Sequence, residues 1–187
     1  MNTANKIKKL RGEKDQSSLV QVSPRRLRNK AVHYLGRYAS TEYRLKQVLV
    51  KFVKKKWPKI PINDSLDHIQ ETVNWCRECK FLNDAEYAFM KVKSGRAKGY
   101  STKQIKKRLA LAGLSAELVE SAFNEAENTV EAEFQAALTL AKKKRIGPYA
   151  TSPISDHKER MRQMARLARA GYSYKICKNV FDYLEEL

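Results

Sequence analysis

The sequence predicts an all-α chain folded as an elongated array of three tandem three-helix repeats. Three observations carry that expectation. Apolar residues recur at spacings of three and four along most of the chain, and no alternating segment is long enough to claim a sheet. Small polar residues, glycines and prolines punctuate that pattern at intervals suited to short helices. Three breaks, Ala39-Ser40-Thr41, Gly99-Tyr100-Ser101 and Gly171-Tyr172-Ser173, each precede a helix. Four and eight residues after each break come Leu45 and Leu49, Ile105 and Leu109, and Cys177 and Phe181. The breaks lie 60 and 72 residues apart (41 to 101, 101 to 173), room for about three ordinary helices with loops. In such an array each unit buries its open face on its neighbour. The expected boundaries are a basic flexible tail at 1–22, repeat one at 23–82, repeat two at 83–128 with its third helix near 115–128, and repeat three at 129–187.

Taken in order, residues 1–22 are basic and weakly periodic, with Leu19, Val20 and Val22 as a short extended piece. Ser23-Pro24 opens the first helix, proline suiting a first helical position, and Leu27, Ala31, Tyr34 and Leu35 form its inner face. Thr41 caps the second, which turns Leu45, Val48, Leu49 and Phe52 inward and stops before Pro58. Asp64 or Ser65 caps the third, with Leu66, Ile69, Val73 and Cys76 inward. Asp84 caps the fourth after the turn Phe81-Leu82-Asn83-Asp84. Gly99 tolerates the positive φ that ends it, and Ser101 caps a fifth carrying Ile105, Leu109 and Ala112. Gly113 stops that helix. Ser115 caps the sixth, with Leu118, Val119, Ala122 and Phe123 inward. The seventh runs from about Thr129 to Arg145 on Val130, Phe134, Ala137, Leu138 and Ala141. A loop follows at Ile146–Pro153. Ser155 caps the eighth, with Met161, Met164, Leu167 and Ala168 inward. The last helix buries Cys177, Val180, Phe181 and Leu184.

Composition bounds the function. Hydrophobic residues make up 42% of the chain, enough for a core, and 38 Lys+Arg against 20 Asp+Glu leave a net charge of +18. An imbalance of that size attracts polyanions: nucleic acid, a nucleoprotein or an anionic membrane surface. The plainer reading is solubility alone. No stretch reaches the roughly 18 apolar residues of a membrane span, and MNTANKIKKLRGEKDQ has no apolar run of signal-peptide length. Three cysteines are odd in number and frame no disulfide set, so the expected setting is the cytoplasm with reduced thiols.

The middle of the chain carries a resemblance. Trp75-Cys76 near a helix end, then Phe81-Leu82-Asn83-Asp84, Lys98-Gly99-Tyr100, Ile105 to Leu109 and Gly113-Leu114-Ser115 follow an order and spacing that resembles the RecX family. It spans roughly Arg26 to Leu184. The resemblance implies a monomeric, all-helical regulator that lies along RecA filaments and restrains RecA in recombination, DNA repair and the SOS response, without catalysis or cofactor.

The residues themselves offer no catalytic constellation, so the chain reads as a non-enzyme. Trp75-Cys76-Arg77-Glu78-Cys79 superficially matches a thioredoxin-like W-C-x-x-C. That chemistry needs its first cysteine at a helix N-terminus, whereas these lie at a helix end, where the dipole opposes a thiolate. Zinc needs four ligands, and His68 and Cys177 are poorly placed to complete a set with Cys76 and Cys79. No metal site is expected.

The expected contact surface is cationic. Arg25, Arg26 and Arg28 begin the first repeat. Lys91, Lys93, Arg96 and Lys98 end a helix of the second, and Lys103, Lys106 and Lys107 follow, with Arg108 beside them. Arg162, Arg166 and Arg169 belong to the third, with Lys175 after them. Cations late in a helix also complement its dipole, which accounts for part of the pattern. Set in a row by a repeat, the clusters make a track for a RecA filament or for single- and double-stranded DNA. The runner-up function is therefore a general helical DNA-binding protein acting through that track. Tyr100 and Tyr172 read as core anchors or as flanks of the track.

Overall fold

The computed structural model describes residues 22–126, 130–151 and 156–183. Within them the regular structure is helical: α1 Pro24–Leu35, α2 Glu42–Lys56, α3 Leu66–Glu78, α4 Asp84–Ala97, α5 Thr102–Ala110, α6 Ala116–Glu125, α7 Val130–Lys144, α8 His157–Arg169 and α9 Tyr174–Asp182. Short 3-10 turns occupy Ile62–Ser65 and Gly147–Tyr149. The chain divides into two compact units. One holds residues up to Tyr38 together with Leu45–Phe81; the other holds Ala39–Arg44 together with residues from Leu82 onward.

In the first unit α1 packs on α3. Leu27 and Ala31 of α1 and Ile69, Val73 and Cys76 of α3 are buried, as their spacing requires, and so are Leu45 and Leu49 of α2. The Lys46 ammonium donates to Gln70 Oε1 at 3.1 Å, tying α2 to α3. Three expectations change here. Val22, expected in the tail, is only 3% exposed and belongs to the folded body. Leu66 is exposed, because the 3-10 turn before it places it on the solvent side of the first helical turn. Ser65 is buried and stands at the helix start, but its hydroxyl bonds no backbone amide there.

In the second unit α4 packs on α6 and α7, and α7 packs on α9. One apolar cluster gathers Tyr87, Ala88, Val92, Ile105, Leu109 and Phe123 from α4, α5 and α6. A second gathers Leu138, Ile146, Leu167, Ile176 and Phe181, among others, from α7 to α9. Ser101, Ser115 and Ser173 cap α5, α6 and α9 by accepting the backbone N–H three residues on, which satisfies a donor the helix itself leaves free. Asn83, not Asp84, caps α4 by accepting from the Glu86 N–H at 3.1 Å. The Asp84 carboxylate instead accepts from the Glu42 N–H at the start of α2, at 3.0 Å. Burial raises its pKa, against that hydrogen bond. Asp156 caps α8; Ser155, Leu19, Val20 and Leu184 lie outside the described residues.

Some inward positions move as well. Val130 is 71% exposed and Met161 44% exposed, and Ala168 faces solvent. Val130 is the first residue of α7, on the stripe but ahead of the part of it that is covered, and Met161 and Ala168 flank the packed stripe of α8. In α8 that stripe runs through Gln163, Met164 and Leu167, and Gln163 is buried because its Oε1 accepts from the Gly147 N–H at 2.7 Å.

One hydroxyl bond is made twice. Thr41 Oγ1 accepts from the Arg44 N–H and donates to Ala112 O at 2.6 Å. Ser101 Oγ accepts from the Gln104 N–H and donates to Ala170 O, also at 2.6 Å. Ala112 precedes Gly113-Leu114-Ser115, and Ala170 precedes Gly171-Tyr172-Ser173. The break before α9 therefore corresponds to the one before α6, 58 residues earlier (115 to 173), and not to Gly99-Tyr100-Ser101. A glycine followed by an apolar residue and a serine ends one helix and caps the next. That local signal is the same before α5, α6 and α9, so spacing by motif alone misaligns it.

Candidate partner-binding surface

Once their neighbours are known, the cations separate into three groups, exposed, locally engaged and cleft-lining, with Arg96 apart from all three. Arg25 and Arg26 are exposed on the first turn of α1, and Arg28 lies over the Trp75 ring at 5.2 Å. On α4 and just after it, Lys93 lies over Phe89 at 5.1 Å and Lys98 is exposed. Lys103 and Lys107 on α5 and Lys175 on α9 are also exposed. These side chains present charge to solvent.

A second group is engaged locally. Lys106 pairs with Glu120 and lies over Phe123 at 5.5 Å. Arg162 pairs with Glu159 at 2.9 Å. Arg166 donates to Lys144 O at 3.1 Å, and Arg169 to Ala165 O at 3.2 Å. Those contacts orient the arginines on their helix surface and leave them exposed.

Arg96 is turned into the fold. Its guanidinium donates to Thr102 Oγ1 at 2.7 Å and lies over Phe123 at 5.7 Å. Burial lowers its pKa, against the pull of Glu133. Glu133 accepts in turn from the Thr102 hydroxyl at 2.8 Å and N–H at 3.2 Å. Beside them the Tyr172 hydroxyl donates to Gly99 O at 3.0 Å, and burial drives that phenol well above its ordinary range. Tyr172 is thus a core anchor, and Arg96 positions the α4–α5 joint.

The third group lines a cleft of about 250 Å³ in the second unit. Arg44, Lys91, Lys98 and Arg108 surround it, with Tyr87 and Tyr100 in its wall. Arg108 stacks over Tyr100 at 4.2 Å, Lys91 over Tyr87 at 5.1 Å, and Arg44 Nη1 donates to the Tyr87 hydroxyl at 3.1 Å. Sequence reasoning placed Lys91 and Lys98 on the surface track and passed over Arg44. The Tyr87–Lys91 pair was readable as an i, i+4 contact. Arg44 gave no signal, since it sits 43 residues from Tyr87.

The cysteines stand where the dipole argument placed them. Cys76 is buried near the end of α3 and Cys79 is exposed just after it. Burial, then Cys79, push the Cys76 thiol up to about 11, so it is a thiol and not a thiolate near neutral pH. No cluster of three or more metal-ligating side chains occurs among the described residues. Changing both cysteines to serine is expected to cost about 1–2 kcal/mol, all of it from the hydroxyl placed in the apolar Cys76 site. Separate melting curves check this: Cys79→Ser should melt as wild type. Stoichiometric zinc in the purified protein would contradict it.

The fold and surface define a class: an all-helical, strongly basic protein with cations displayed on both of its compact units. Comparison with known proteins narrows it. No family model matches the chain. The regulatory protein RecX of Myxococcus xanthus is 40% identical over 164 residues, 87% of each chain. The regulatory protein RecX of Agrobacterium fabrum is 27% identical over 159 residues, 85% of this chain and 83% of its own. A crystal structure of RecX from Lactobacillus salivarius superposes with a TM-score of 0.67 at 22% identity, over 88% of this chain and 97% of that one. The chain belongs to the RecX family. No helix among the described residues is long and apolar enough to cross a membrane.

Proposed function

We propose that this chain binds RecA filaments on DNA and restrains RecA activity in recombination, repair and the SOS response, with no catalysis of its own. The observation that carries this reading is the 40% identity to a regulatory protein RecX across 87% of both chains. The exposed cations support it. Arg25, Arg26, Lys93, Lys103, Lys107 and Lys175 offer charge to an acidic protein surface or to phosphates. We also read the helices as three triplets, α1–α3, α4–α6 and α7–α9, corresponding to 23–82, 83–128 and 129–187. The twice-made hydroxyl-to-carbonyl bond supports that grouping.

Salt separates filament binding from plain DNA binding. Contacts made only to phosphates weaken steeply with salt, because each neutralised phosphate releases counterion. Protein–protein contacts hold more of their affinity. Retention on naked duplex DNA should therefore fade between about 50 and 200 mM salt, while inhibition of RecA ATPase on single-stranded DNA persists. Lys103→Glu with Lys107→Glu should weaken both, with an unchanged melting curve, since both side chains are exposed. Lys106 is best left intact in this test, because its reversal would set a carboxylate against Glu120. Equal collapse of both activities with salt would favour a general DNA-binding protein.

A further inference from the structure

We infer that the cleft between α4, α5 and the start of α2 is a binding site for phosphate groups carried close together on one ligand. Four cations surround it: Arg44, Lys91, Lys98 and Arg108. Among the described residues no carboxylate lines it, and none of the four makes an ion pair with another described residue. Elsewhere the fold does pair its cations, as at Lys106–Glu120, Arg160–Asp182 and Arg162–Glu159. Four like charges around one concave surface repel one another and focus the field on an anion entering it.

Three of the four are also held in place by the two tyrosines. The Arg108 guanidinium rests on the Tyr100 ring, the Lys91 ammonium rests on the Tyr87 ring, and Arg44 is hydrogen-bonded to the Tyr87 hydroxyl. Part of the side-chain entropy that binding would cost is thereby lost on folding. Planar guanidinium forks match the oxygens of a phosphate group, and ammoniums add point charge. The charge count favours a ligand with several adjacent negative charges, because a single carboxylate would leave most of the site uncompensated. At about 250 Å³ the cleft is below the roughly 300–1,000 Å³ of sites that enclose a whole organic ligand. It takes the phosphates and leaves the rest of the ligand outside. Two sources have that chemistry: a free polyphosphate chain, alone or on a nucleotide, and consecutive phosphodiesters of a single strand.

The test uses the purified full chain and no recombinase, so a chain that fails to inhibit RecA still reports on the cleft. Calorimetric titration at fixed ionic strength is run with tripolyphosphate and with a short oligodeoxythymidine bearing hydroxyl ends. The variants are Arg44→Gln/Arg108→Gln and Lys91→Gln/Lys98→Gln. The control is Lys54→Gln/Lys55→Gln, which removes the same charge from exposed positions outside the cleft. Each cleft pair should weaken phosphate binding about tenfold or more, the loss expected for charge-assisted hydrogen bonds, and the control should leave it nearly unchanged. Circular dichroism melting confirms that each variant is folded. Cleft-dependent binding of tripolyphosphate alone upholds the site with a free polyphosphate as its source. Cleft-dependent binding of the oligonucleotide upholds it with backbone phosphates as the source. The proposal is overturned if wild type binds neither probe, if control and cleft pairs lose affinity equally, or if oligoglutamate of the same charge binds as tightly as tripolyphosphate.

Discussion

Replacing Gly99 with alanine should destabilise the second unit by about 2–5 kcal/mol. Two costs combine. Gly99 has φ +78, where a Cβ costs roughly 1–2 kcal/mol. A Cβ there would also meet Leu140 N at 2.9 Å, Ala136 O at 3.0 Å and Leu140 Cα at 3.1 Å. Those atoms are backbone of α7, which cannot swing aside as a side chain can, so overpacking adds roughly 1–3 kcal/mol. The carbonyl of Gly99 also accepts the buried Tyr172 hydroxyl, so a shift of this turn disturbs α7 and the α8–α9 joint together. For a chain of this size each kcal/mol moves the melting temperature roughly 2–4 °C. Gly36→Ala is the contrast. Gly36 has φ −65 and its Cβ would approach only the Val32 carbonyl, at 3.3 Å. Thermal melts of the two variants check this, and a Gly99→Ala protein that melts like Gly36→Ala would refute the close approach.

Phe123→Ala should cost about 3–5 kcal/mol, the range for emptying a large aromatic site in a packed interior. Phe123 is fully buried on α6, among Tyr87, Val92, Ile105 and Leu109 of the facing helices. Its ring also carries Arg96 and Lys106 at 5.7 and 5.5 Å, contacts worth roughly 0.5–1 kcal/mol each at partly exposed sites. Phe123→Leu keeps most of the volume and loses both cation–π contacts, so it should cost about 1–2 kcal/mol. Urea midpoints read at constant slope separate the two variants. If alanine and leucine cost the same, packing is not what this residue supplies.

The helices were legible because their signals are local. Ser101, Ser115 and Ser173 cap because a hydroxyl one residue before a helix reaches an amide three residues on, whatever lies beyond. Gly99, Gly113 and Gly171 end helices at positive φ for an equally local reason. The apolar stripe of α5 is buried whole, and Leu27 and Ala31 of α1 and Cys177, Val180 and Phe181 of α9 are buried as well, because a strong 3.6-residue period leaves one face to bury. Errors gathered where local choices were nearly equal. Asn83 and Asp84 both suit a cap, and the backbone of Glu42 claimed the aspartate. Leu66 and Val130 are the first residues of their helices, where the stripe runs past what covers it, and Met161 stands at the margin of its stripe, where the neighbouring helix decides which side is covered.

The sequence by itself determined an all-helical chain, the joints between its helices, a large positive charge and, through 40% identity to a relative along most of its length, membership of the RecX family. Tertiary structure alone decided which cations are free to meet a partner. Arg96 and Lys106 read as surface charges, and the fold turns one inward and pairs the other. Arg44 read as nothing in particular, and the fold carries it to Tyr87 and the cleft shared with Arg108. The physical reason is range. Helix periodicity and capping act over three or four residues along the chain. The surroundings of a charge are instead set by whichever residues, tens of positions away, packing brings within a few ångströms of it.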